Sequence, residues 1–223
     1  MSICHSPVPR KTIATPERIR RAALARVSRY GFRRTSMEDI ASEAGVSRAA
    51  LYLQFRNKDE IFRSVSRSLQ EEAVERATAA ADEERTLEEK LQAVVEAKIL
   101  PFVEITHDSP HGSELHDETN RLCGDIVAEA RERFLAILTK TFRRALQARE
   151  IDLGPVGLDA AGAAELFLQS VHGLKERRVS GAEFRKRLGA LVRVFVAGVR
   201  VPPVVARKPA PRAKPATRRA ARR

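Results

Sequence analysis

The residues best suited to binding chemistry lie close together between Glu43 and Phe55, in the stretch EAGVSRAALYLQF. Arg48, Tyr52 and Gln54 bring a guanidinium, a phenol and an amide within seven residues, and Ser47 stands directly before them. Such groups donate hydrogen bonds to acceptor-rich surfaces, and the planar fork of an arginine matches the edge of a guanine. The alanines and leucines between them favour a short helix that presents these donors.

A helix-turn-helix would hold this short helix in place. Ser36 and Asp39 form the pattern of a capping box, Gly45 is a typical helix stop, and Ser47 caps the next helix. Two short helices joined by a turn of about four residues cross steeply, which leaves the start of the second helix projecting. A projecting helix fits the major groove of B-DNA, and the alternative is a helical hairpin inside a core. The predicted inward-facing residues are Ile40, Ala41, Ala44, Val46, Leu51 and Phe55.

The positive charge of the chain is concentrated at its two ends. Residues 1–64 carry 13 Lys or Arg against 6 Asp or Glu, residues 65–200 carry 20 against 23, and residues 201–223 carry 8 against none. The net charges are therefore +7, −3 and +8. Because the positive field is local, a polyanion would meet it only at particular places. Nucleic acid is the leading predicted partner.

Composition indicates a helical protein of one or two compact units. The chain has 223 residues, of which 43% are hydrophobic and 31% charged, and Ala, Arg, Leu and Glu dominate. No apolar run reaches the roughly 18 to 20 residues of a membrane span, and the first residues lack the apolar core of a signal peptide, so we expect a cytoplasmic protein without a membrane partner. Cys4 and Cys123 are expected to be free thiols.

Helix start and stop signals recur along the whole chain and predict about nine helices and no strand. A helix begins near Thr15 and stops at Gly31, and Pro101 is expected to kink a later one. A short helix is predicted from Ser109-Pro110, followed by a long one over Glu118 to Arg149. The remaining predicted helix starts are at Asn57 with Glu60, Thr86 with Glu89, Asp159, and Ser180 with Glu183.

Seven short motifs stand at fixed spacings in the basic N-terminal part: Gly31-Phe32, Thr35-Ser36, Asp39-Ile40-Ala41, Ala44-Gly45-Val46-Ser47, Leu51-Tyr52, Phe55 and Lys58-Asp59. Together they resemble the DNA-binding domain of the tetracycline-repressor (TetR) family of transcriptional regulators. The resemblance covers residues 15–65, about a quarter of the chain. It implies an all-α fold in which a three-helix DNA-binding domain precedes a helical domain for effector binding and dimerisation.

The resemblance also assigns residue roles. Tyr52 and Lys58 correspond to phosphate-contacting positions, and Arg48 is the candidate for reading bases, although a phosphate contact alone is the open alternative. Capping explains Ser36 and Ser47 as well as phosphate binding does. Where the family often has Gly followed by Thr or Ser, and then His or Tyr, this chain has Ala49, Ala50 and Gln54. The full predicted DNA-binding set is Thr35, Ser36, Ser47, Arg48, Ala49, Ala50, Tyr52, Leu53, Gln54 and Lys58.

The last two predicted helices each carry an apolar stripe. The resemblance implies that these helices pair with their counterparts in a second chain, so that a homodimer spaces two DNA-binding domains on an operator. Helical periodicity cannot separate an interface from a core, so both stripes could instead serve one chain. The predicted interface residues are Phe167, Val171, Phe184, Leu188, Leu191 and Phe195.

The segment from residue 107 to residue 123 collects histidines, carboxylates and a cysteine, which raises the question of a metal site. The spacing matches no common zinc signature, and Pro110 interrupts the helix that would align His107 with His111, so we expect neither a metal nor another cofactor. The polar end of an effector pocket is the preferred interpretation, with core packing as the alternative for its apolar walls. The predicted pocket residues are Leu91, Val95, Phe102, His107, His111, His116, Cys123 and Phe134.

These observations predict a DNA-binding regulator, most simply a repressor released by an unknown small-molecule effector, and not an enzyme, because no catalytic motif is present. The alternative is a weakly specific architectural DNA-binding protein that uses the basic tail. That tail either neutralises phosphates or is a solvated end. The predicted organisation is a disordered N-terminus at 1–9, a DNA-binding domain at 10–70, an effector-binding and dimerisation domain at 71–200, and a disordered tail at 201–223.

Overall fold

The computed structural model describes residues 15–174 and 179–201, and over these residues the protein is all-helical. An isolated antiparallel bridge between Ile151 and Arg200 is the β-type pairing found in this described part. A single turn of 3-10 helix occupies Gly154–Val156. The α-helices are α1 Thr15–Tyr30, α2 Met37–Ala44, α3 Arg48–Gln54, α4 Lys58–Asp82, α5 Leu87–Asp108, α6 Gly112–Gln147, α7 Ala160–Gly173 and α8 Gly181–Val199.

Helices α1 to α3 form a three-helix head, and the sequence signals that predicted it are confirmed. Ser36 and Asp39 make a capping box at the start of α2, and Gly45 ends that helix with a φ of 61°, in the left-handed region that favours glycine. Arg18 of α1 donates from Nη2 to the Ala44 carbonyl oxygen at 2.7 Å, which caps the same helix end. The head core contains the predicted inward residues Ile40, Ala41, Ala44, Leu51 and Phe55, with Val46 partly buried against them.

Helix α4 joins the head to the rest of the molecule, which we call the body (α5 to α8). Its first turns pack into the head core through Ile61 and Val65. Phe62 lies on another face of α4 and stacks edge-on against Phe32 of the head, with ring centroids 5.0 Å apart. A second apolar cluster, the junction core, therefore seals the head to α4 and α6; it comprises Val27, Phe32, Phe62, Leu115, Cys123 and Ile126.

The body is held by one large core between α4 and the last four helices. Phe142, Phe167 and Phe195 meet there with ring centroids 5.2 to 6.0 Å apart. The predicted helix starts at Thr86, Asp159 and Ser180 are confirmed, because each side-chain oxygen accepts a backbone N–H three residues on.

Helix α6 follows the predicted order of a short helix and then a long one, but the break lies at another residue. Gly112–Gln147 consists of two helical segments that meet at a kink with non-helical backbone angles at Cys123 (φ −127°, ψ 17°), whereas the sequence placed the start of the long helix at Glu118. The described chain has eight α-helices when α6 is counted once, and its two segments account for the prediction of about nine. A kink leaves carbonyl groups without helical partners, and here Arg63 of α4 donates to the Leu122 carbonyl oxygen. The same guanidinium grips both carboxylate oxygens of Asp125 at 2.8 and 2.6 Å. A side chain from a distant helix therefore supports the bend, which local capping rules cannot anticipate.

The C-terminal end of α8 is fastened to the loop after α6 and to the start of α5. The Asp152 N–H donates to the Val199 carbonyl oxygen at 2.7 Å, and Arg200 pairs with Glu88 at the start of α5 at 2.6 Å. The predicted disordered N-terminus, Cys4 and the basic tail beyond Val201 lie outside the described residues. None of the helices in the described ranges is both long and apolar enough to cross a membrane.

Candidate DNA-binding surface and internal cavity

One side of helix α3 carries both polar and apolar side chains and is exposed to solvent, because nothing else in the described chain covers it. Leu51 is the inward anchor of the helix, and Ser47 caps its start by accepting the Ala50 N–H at 3.1 Å. Arg48, Ala49, Tyr52 and Gln54 are exposed, and Leu53 is 84% exposed. An exposed leucine of that size on a seven-residue helix lacks a structural reason inside this chain, so it adds an apolar contact to the predicted recognition surface.

The arginine on this surface is already oriented. Arg48 Nη2 lies 2.8 Å from Glu38 Oε1 of α2, and its guanidinium carbon lies 5.6 Å from the centroid of the Tyr52 ring. Both side chains of the ion pair are mostly exposed, so the pair contributes little to stability. Its effect is geometric, because it holds the guanidinium beside the phenol at the start of α3.

Four other residues that were predicted to contact DNA instead form hydrogen bonds with backbone groups of the head or of its helix starts. The Thr35 side chain is buried, and its hydroxyl donates to the Gly31 carbonyl oxygen at 2.8 Å. Lys58 Nζ donates to the carbonyl oxygens of Phe32 and Thr35 at 2.7 and 2.8 Å and lies over the Phe32 ring. Ser36 and Ser47 serve as helix caps. In this conformation Thr35 and Lys58 therefore fix the start of α4 against the head and do not extend toward a phosphate.

A cavity of about 260 Å³ lies between the head and the body. Helices α4, α5 and α6 form most of its wall, Leu24 of α1 closes one side, and Leu168 and His172 of α7 close another. Its apolar lining residues are Leu24, Phe62, Val65, Leu69, Ile99, Phe102, Ile105, Leu115, Val127, Phe134 and Leu168, and its polar ones are Ser66, Gln70, Lys98, Thr106, His116, Thr119, Asn120, Arg131 and His172. Mostly apolar walls with a few polar groups are typical of a small-molecule site.

The polar groups of the cavity are organised in two places. On one wall the ammonium of Lys98 donates to the Gln70 side-chain oxygen and lies 5.0 Å from the centroid of the Phe102 ring. On the α6 wall Asn120 Nδ2 lies 3.1 Å from His116 Nε2. Lys98 is only 6% exposed, so its charge lies inside the protein.

The structure brings together only part of the predicted pocket set. Phe102, His116 and Phe134 line the cavity. Leu91 and Val95 do not, because they lie in the body core. Sequence reasoning missed Lys98, although its place on the buried stripe of α5, after Leu91 and Val95, was a readable signal.

The remaining predicted pocket residues lie at or near the junction of head and body. His107 is exposed next to Asp108, and His111 Nδ1 lies 3.6 Å from Glu114. Cys123 is fully buried in the junction core, and burial raises the pKa of its thiol. Within the described residues, no group of three or more His, Cys, Asp or Glu side chains could hold a metal ion.

Polar contacts join the head to the cavity walls. The Arg33 N–H donates to Glu114 Oε1 at 2.8 Å, and the Arg33 guanidinium lies 3.5 Å from the buried carboxylate of Glu118. Ser109 Oγ donates to the Ser28 carbonyl oxygen at 2.7 Å. Glu114 and Glu118 stand on the same first turns of α6 that carry cavity residues, so a displacement of this segment changes both the cavity and the head contacts.

The two apolar stripes predicted as a dimer interface lie largely inside one chain. Phe167, Val171, Phe184 and Leu188 are fully buried in the body core, so the interpretation of these four as interface residues is corrected. Their periodicity marked a buried face but could not name what covers it. Leu191 and Phe195 are only partly buried. Beside them Val194 is 73% exposed, and on α7 Leu166 is 47% exposed.

Comparison with known proteins agrees with this geometry. Residues 19–65 match the family model described as bacterial regulatory proteins, tetR family. The fatty acid metabolism regulator protein of Bacillus subtilis (strain 168) is 26% identical over 151 residues, which are 67% of this chain and 76% of that protein.

Solved structures show the same fold. SmeT, the repressor of the Stenotrophomonas maltophilia multidrug efflux pump SmeDEF, aligns with a TM-score of 0.61 and 22% identity over 84% of this chain and 91% of its own, and its complex with triclosan aligns with a TM-score of 0.59. The fatty acid degradation regulator FadR of Bacillus halodurans aligns with a TM-score of 0.60 and 16% identity over 85% of this chain and 98% of its own. The match of residues 19–65 to the family model and the shared fold together make this chain similar to the tetR type of bacterial regulatory protein, with the family's helix-turn-helix in the head and α3 as its exposed second helix.

Proposed function

We propose that the protein is a homodimeric repressor that binds a palindromic operator and is released from it by a small molecule in the cavity. The observation that carries the proposal is that α1, α4 and α6 line the cavity and also hold the helix-turn-helix in place. A ligand that enlarges or reshapes the cavity would therefore move the heads of the dimer relative to each other. In the cell the operator would be reached in the cytoplasm.

The exposed face of α3 supports the DNA-binding half of the proposal. Arg48 is assigned to a base edge and Tyr52 to a phosphate, because a guanidinium can bind guanine bidentately and a phenol donates one hydrogen bond. Ala49, Leu53 and Gln54 complete the surface that would enter the groove. The Arg48–Glu38 pair would orient the guanidinium before DNA is bound, which lowers the cost of ordering it.

The exposed side of α7 and α8 supports the dimer. Leu191, Val194, Phe195 and Gly198 follow the i, i+3, i+4, i+7 spacing of one helix face, and none of them is fully buried within the chain. A second copy would cover this stripe together with Leu166, burying the apolar area that the single chain leaves exposed. Two heads fixed in this way would meet half-sites about 34 Å or a multiple apart.

Two helices connect the cavity to the head. Helix α4 contributes Phe62 and Val65 to the cavity lining, and its first residue, Lys58, is bonded to the head carbonyls. Helix α6 contributes Leu115 to the lining from the segment that holds Arg33 through Glu114. Effector binding would favour the conformation in which these contacts no longer place α3 at operator spacing, which is a population shift between two states.

The names of the relatives support an effector role without fixing the ligand. They include regulators of fatty acid metabolism and degradation, and a repressor of a multidrug efflux pump that is known in complex with triclosan. Fatty acids and triclosan are largely apolar compounds. A mostly apolar cavity of this size agrees with that range.

The DNA-binding half is tested by selecting duplexes from a random pool with the full-length protein. We expect a twofold symmetric sequence that keeps two chains bound in excess competitor DNA, because specific sites outcompete bulk DNA by about a thousandfold or more. A selected pool without a consensus, or a site that is saturated by one chain, would contradict the proposal.

The effector half is tested by filling the cavity. Val127 lies on the α6 wall, and Val127→Phe adds a ring to the cavity, whereas Ala128→Phe adds the same ring at an exposed neighbour. Amphipathic compounds that raise the melting temperature of the wild type should lower its operator affinity. Val127→Phe should lose this response and keep its operator binding, and the control variant should behave like the wild type. A compound that releases both variants equally well would act elsewhere.

A further inference from the structure

We propose that Glu38 is a second base-reading residue, whose carboxylate acts with the Arg48 guanidinium to read one G·C base pair in the major groove; this inference rests on the proposed binding of DNA by α3. The first observation is where the two side chains meet. Arg48 begins α3 and Glu38 lies in the first turn of α2, so the ion pair joins the starts of the two helices of the helix-turn-helix. The side chains are 66% and 51% exposed, so DNA that contacts Arg48 can also reach Glu38.

The other two acidic residues of α2 are committed to the fold of the head. Asp39 Oδ2 accepts the Ser36 N–H at 2.9 Å in the capping box, and Asp39 Oδ1 lies 3.0 Å from Arg26 of α1. Glu43 also pairs with Arg26, at 3.9 Å. Glu38 instead contacts the arginine of the predicted recognition surface, and so exposed a pair contributes little to stability. The stability of the head therefore does not explain a carboxylate on a surface that is proposed to meet a polyanion.

The pair of side chains presents two donors and one acceptor in a row. The guanidinium of Arg48 supplies two parallel N–H groups, and the carboxylate of Glu38 supplies an acceptor. The major-groove edge of a G·C pair is complementary, because guanine N7 and O6 accept and the cytosine N4 amino group donates. The spacing also agrees, since guanine O6 and cytosine N4 are joined by a hydrogen bond of about 2.9 Å and Arg48 Nη2 lies 2.8 Å from Glu38 Oε1. An A·T pair presents acceptor, donor and acceptor, and its thymine O4 would face the carboxylate.

A carboxylate beside the guanidinium also changes which partner Arg48 prefers. A phosphate oxygen bound to Arg48 would lie near the Glu38 carboxylate as well, and two anions close together repel each other. A base edge carries no net charge, and its cytosine amino group gives the carboxylate a donor. Of the two roles that the sequence leaves open for Arg48, base reading is therefore favoured over a phosphate contact.

The test uses the full-length protein and the operator selected from the random pool. The base pair to change is the G·C pair at which Arg48→Ala no longer discriminates against A·T. Its cytosine is replaced by N4-methylcytosine, which still pairs with guanine but carries a methyl group where the amino N–H points into the major groove. Because the lost hydrogen bond is to a charged group, the wild type should bind the methylated duplex at least about tenfold more weakly in fluorescence anisotropy.

Three variants show whether Glu38 is responsible. Glu38→Ala should bind the methylated and unmethylated duplexes equally, because it has no acceptor to lose. Glu38→Gln keeps a side-chain oxygen and should retain part of the response. Glu43→Ala is the matched control, since it removes the same charge from the same helix and should respond to methylation as the wild type does. Both positions are exposed, and melting temperatures check that the variants stay folded.

The outcomes separate this inference from the proposed function. Tolerance of N4-methylcytosine by the wild type, or equal sensitivity of the wild type and Glu38→Ala, would overturn the inference while the selected operator still supports the proposed function. The same holds if Arg48→Ala changes discrimination at no G·C pair of the operator. A selected pool without a consensus would refute the DNA-binding function, and the inference with it.

Discussion

Gly31→Ala is the most direct perturbation of the contact between head and body. Gly31 has a φ of 86°, and a Cβ at this position would stand 2.5 Å from Glu114 Oε2 and 3.2 Å from His111 Nδ1. The backbone conformation disfavours any side chain, and the space is filled by the carboxylate that accepts the Arg33 N–H. Alanine must therefore strain the turn after α1 and displace Glu114 from its donor.

The two effects have separable magnitudes. A non-glycine residue in the left-handed region costs about 1–2 kcal/mol. Loss of the Glu114 hydrogen bond costs about 1 kcal/mol at this partly exposed site. The free energy of unfolding should fall by about 2–3 kcal/mol, which lowers the melting temperature by roughly 5–10 °C in a chain of this length.

The measurement is a thermal melt at fixed protein concentration, combined with a double-mutant cycle. Glu114→Ala alone should cost about 1 kcal/mol, and adding it to Gly31→Ala should cost nothing more, because the hydrogen bond is already lost. Gly124→Ala is the control, since its Cβ would meet no atom within 4 Å; it should not lower the free energy of unfolding. A melting temperature of Gly31→Ala within about 1 °C of the wild type, or full additivity of the cycle, would refute the reasoning.

Three further predictions concern the DNA surface, an ion pair and the dimer. Arg48→Ala should reduce the preference for the selected operator over random duplex by about 1–3 kcal/mol, whereas Tyr52→Phe should weaken both equally, as measured by fluorescence anisotropy. The hydrogen bonds from Arg63 hold the pKa of Asp125 at about 2, below its ordinary value of 3.8, so the pair stabilises the fold above about pH 4 and this contribution is lost as the pH falls toward 2. Asp125→Asn should therefore be less stable than the wild type near neutral pH and should lose less stability on acidification. Urea unfolding of both proteins near neutral pH and near pH 2 would show this. Val194→Glu should give folded monomers in sedimentation, because the charge is tolerated in one chain and excluded from an apolar interface.

Each of these has an outcome that would count against it. An equal effect of Arg48→Ala on operator and random DNA would make that residue a phosphate contact. If Asp125→Asn lost stability on acidification as steeply as the wild type, the Arg63–Asp125 pair would not be a source of pH-dependent stability. If Val194→Glu formed dimers with wild-type affinity, the proposed interface on this face of α8 would be wrong.

The head could be predicted from sequence because its information is local. Gly45 at a helix stop, Ser47 at a helix start and Leu51 one turn further each constrain the backbone within a few residues, and their spacing favours a helix-turn-helix. The exposed positions Arg48 and Tyr52 follow directly from the register of α3. Thr35 and Lys58 show the limit, since a hydroxyl or an ammonium that suits a phosphate also suits a backbone carbonyl.

The body could be predicted as helices but not as a site. Leu91 and Phe102 lie on the same helix with similar apolar patterns, yet only Phe102 borders the cavity, because the helices that pack against each part of α5 decide what its residues meet. Phe167 lies in the body core, and the period of its apolar stripe could not show which helices cover it. Arg63 supports the kink from 59 residues away, and such long-range contacts leave no periodic signal in the sequence.

The fastening of α8 to the start of α5 limits what the basic tail can reach. The pair between Arg200 and Glu88 fixes the departure point at one end of α5, and Ser109 touches the head at the other end. The 22 residues of α5 separate these points by about 33 Å. Even a fully extended chain covers only about 3.3–3.6 Å per residue, so about nine or ten residues beyond Arg200 are needed to span the length of α5 toward the head of the same protomer. Any neutralisation of phosphates on DNA held by that head would therefore come from the six cations from Arg212 onward. A chain cut after Lys208 should show the same salt dependence of operator binding as one cut after Val201.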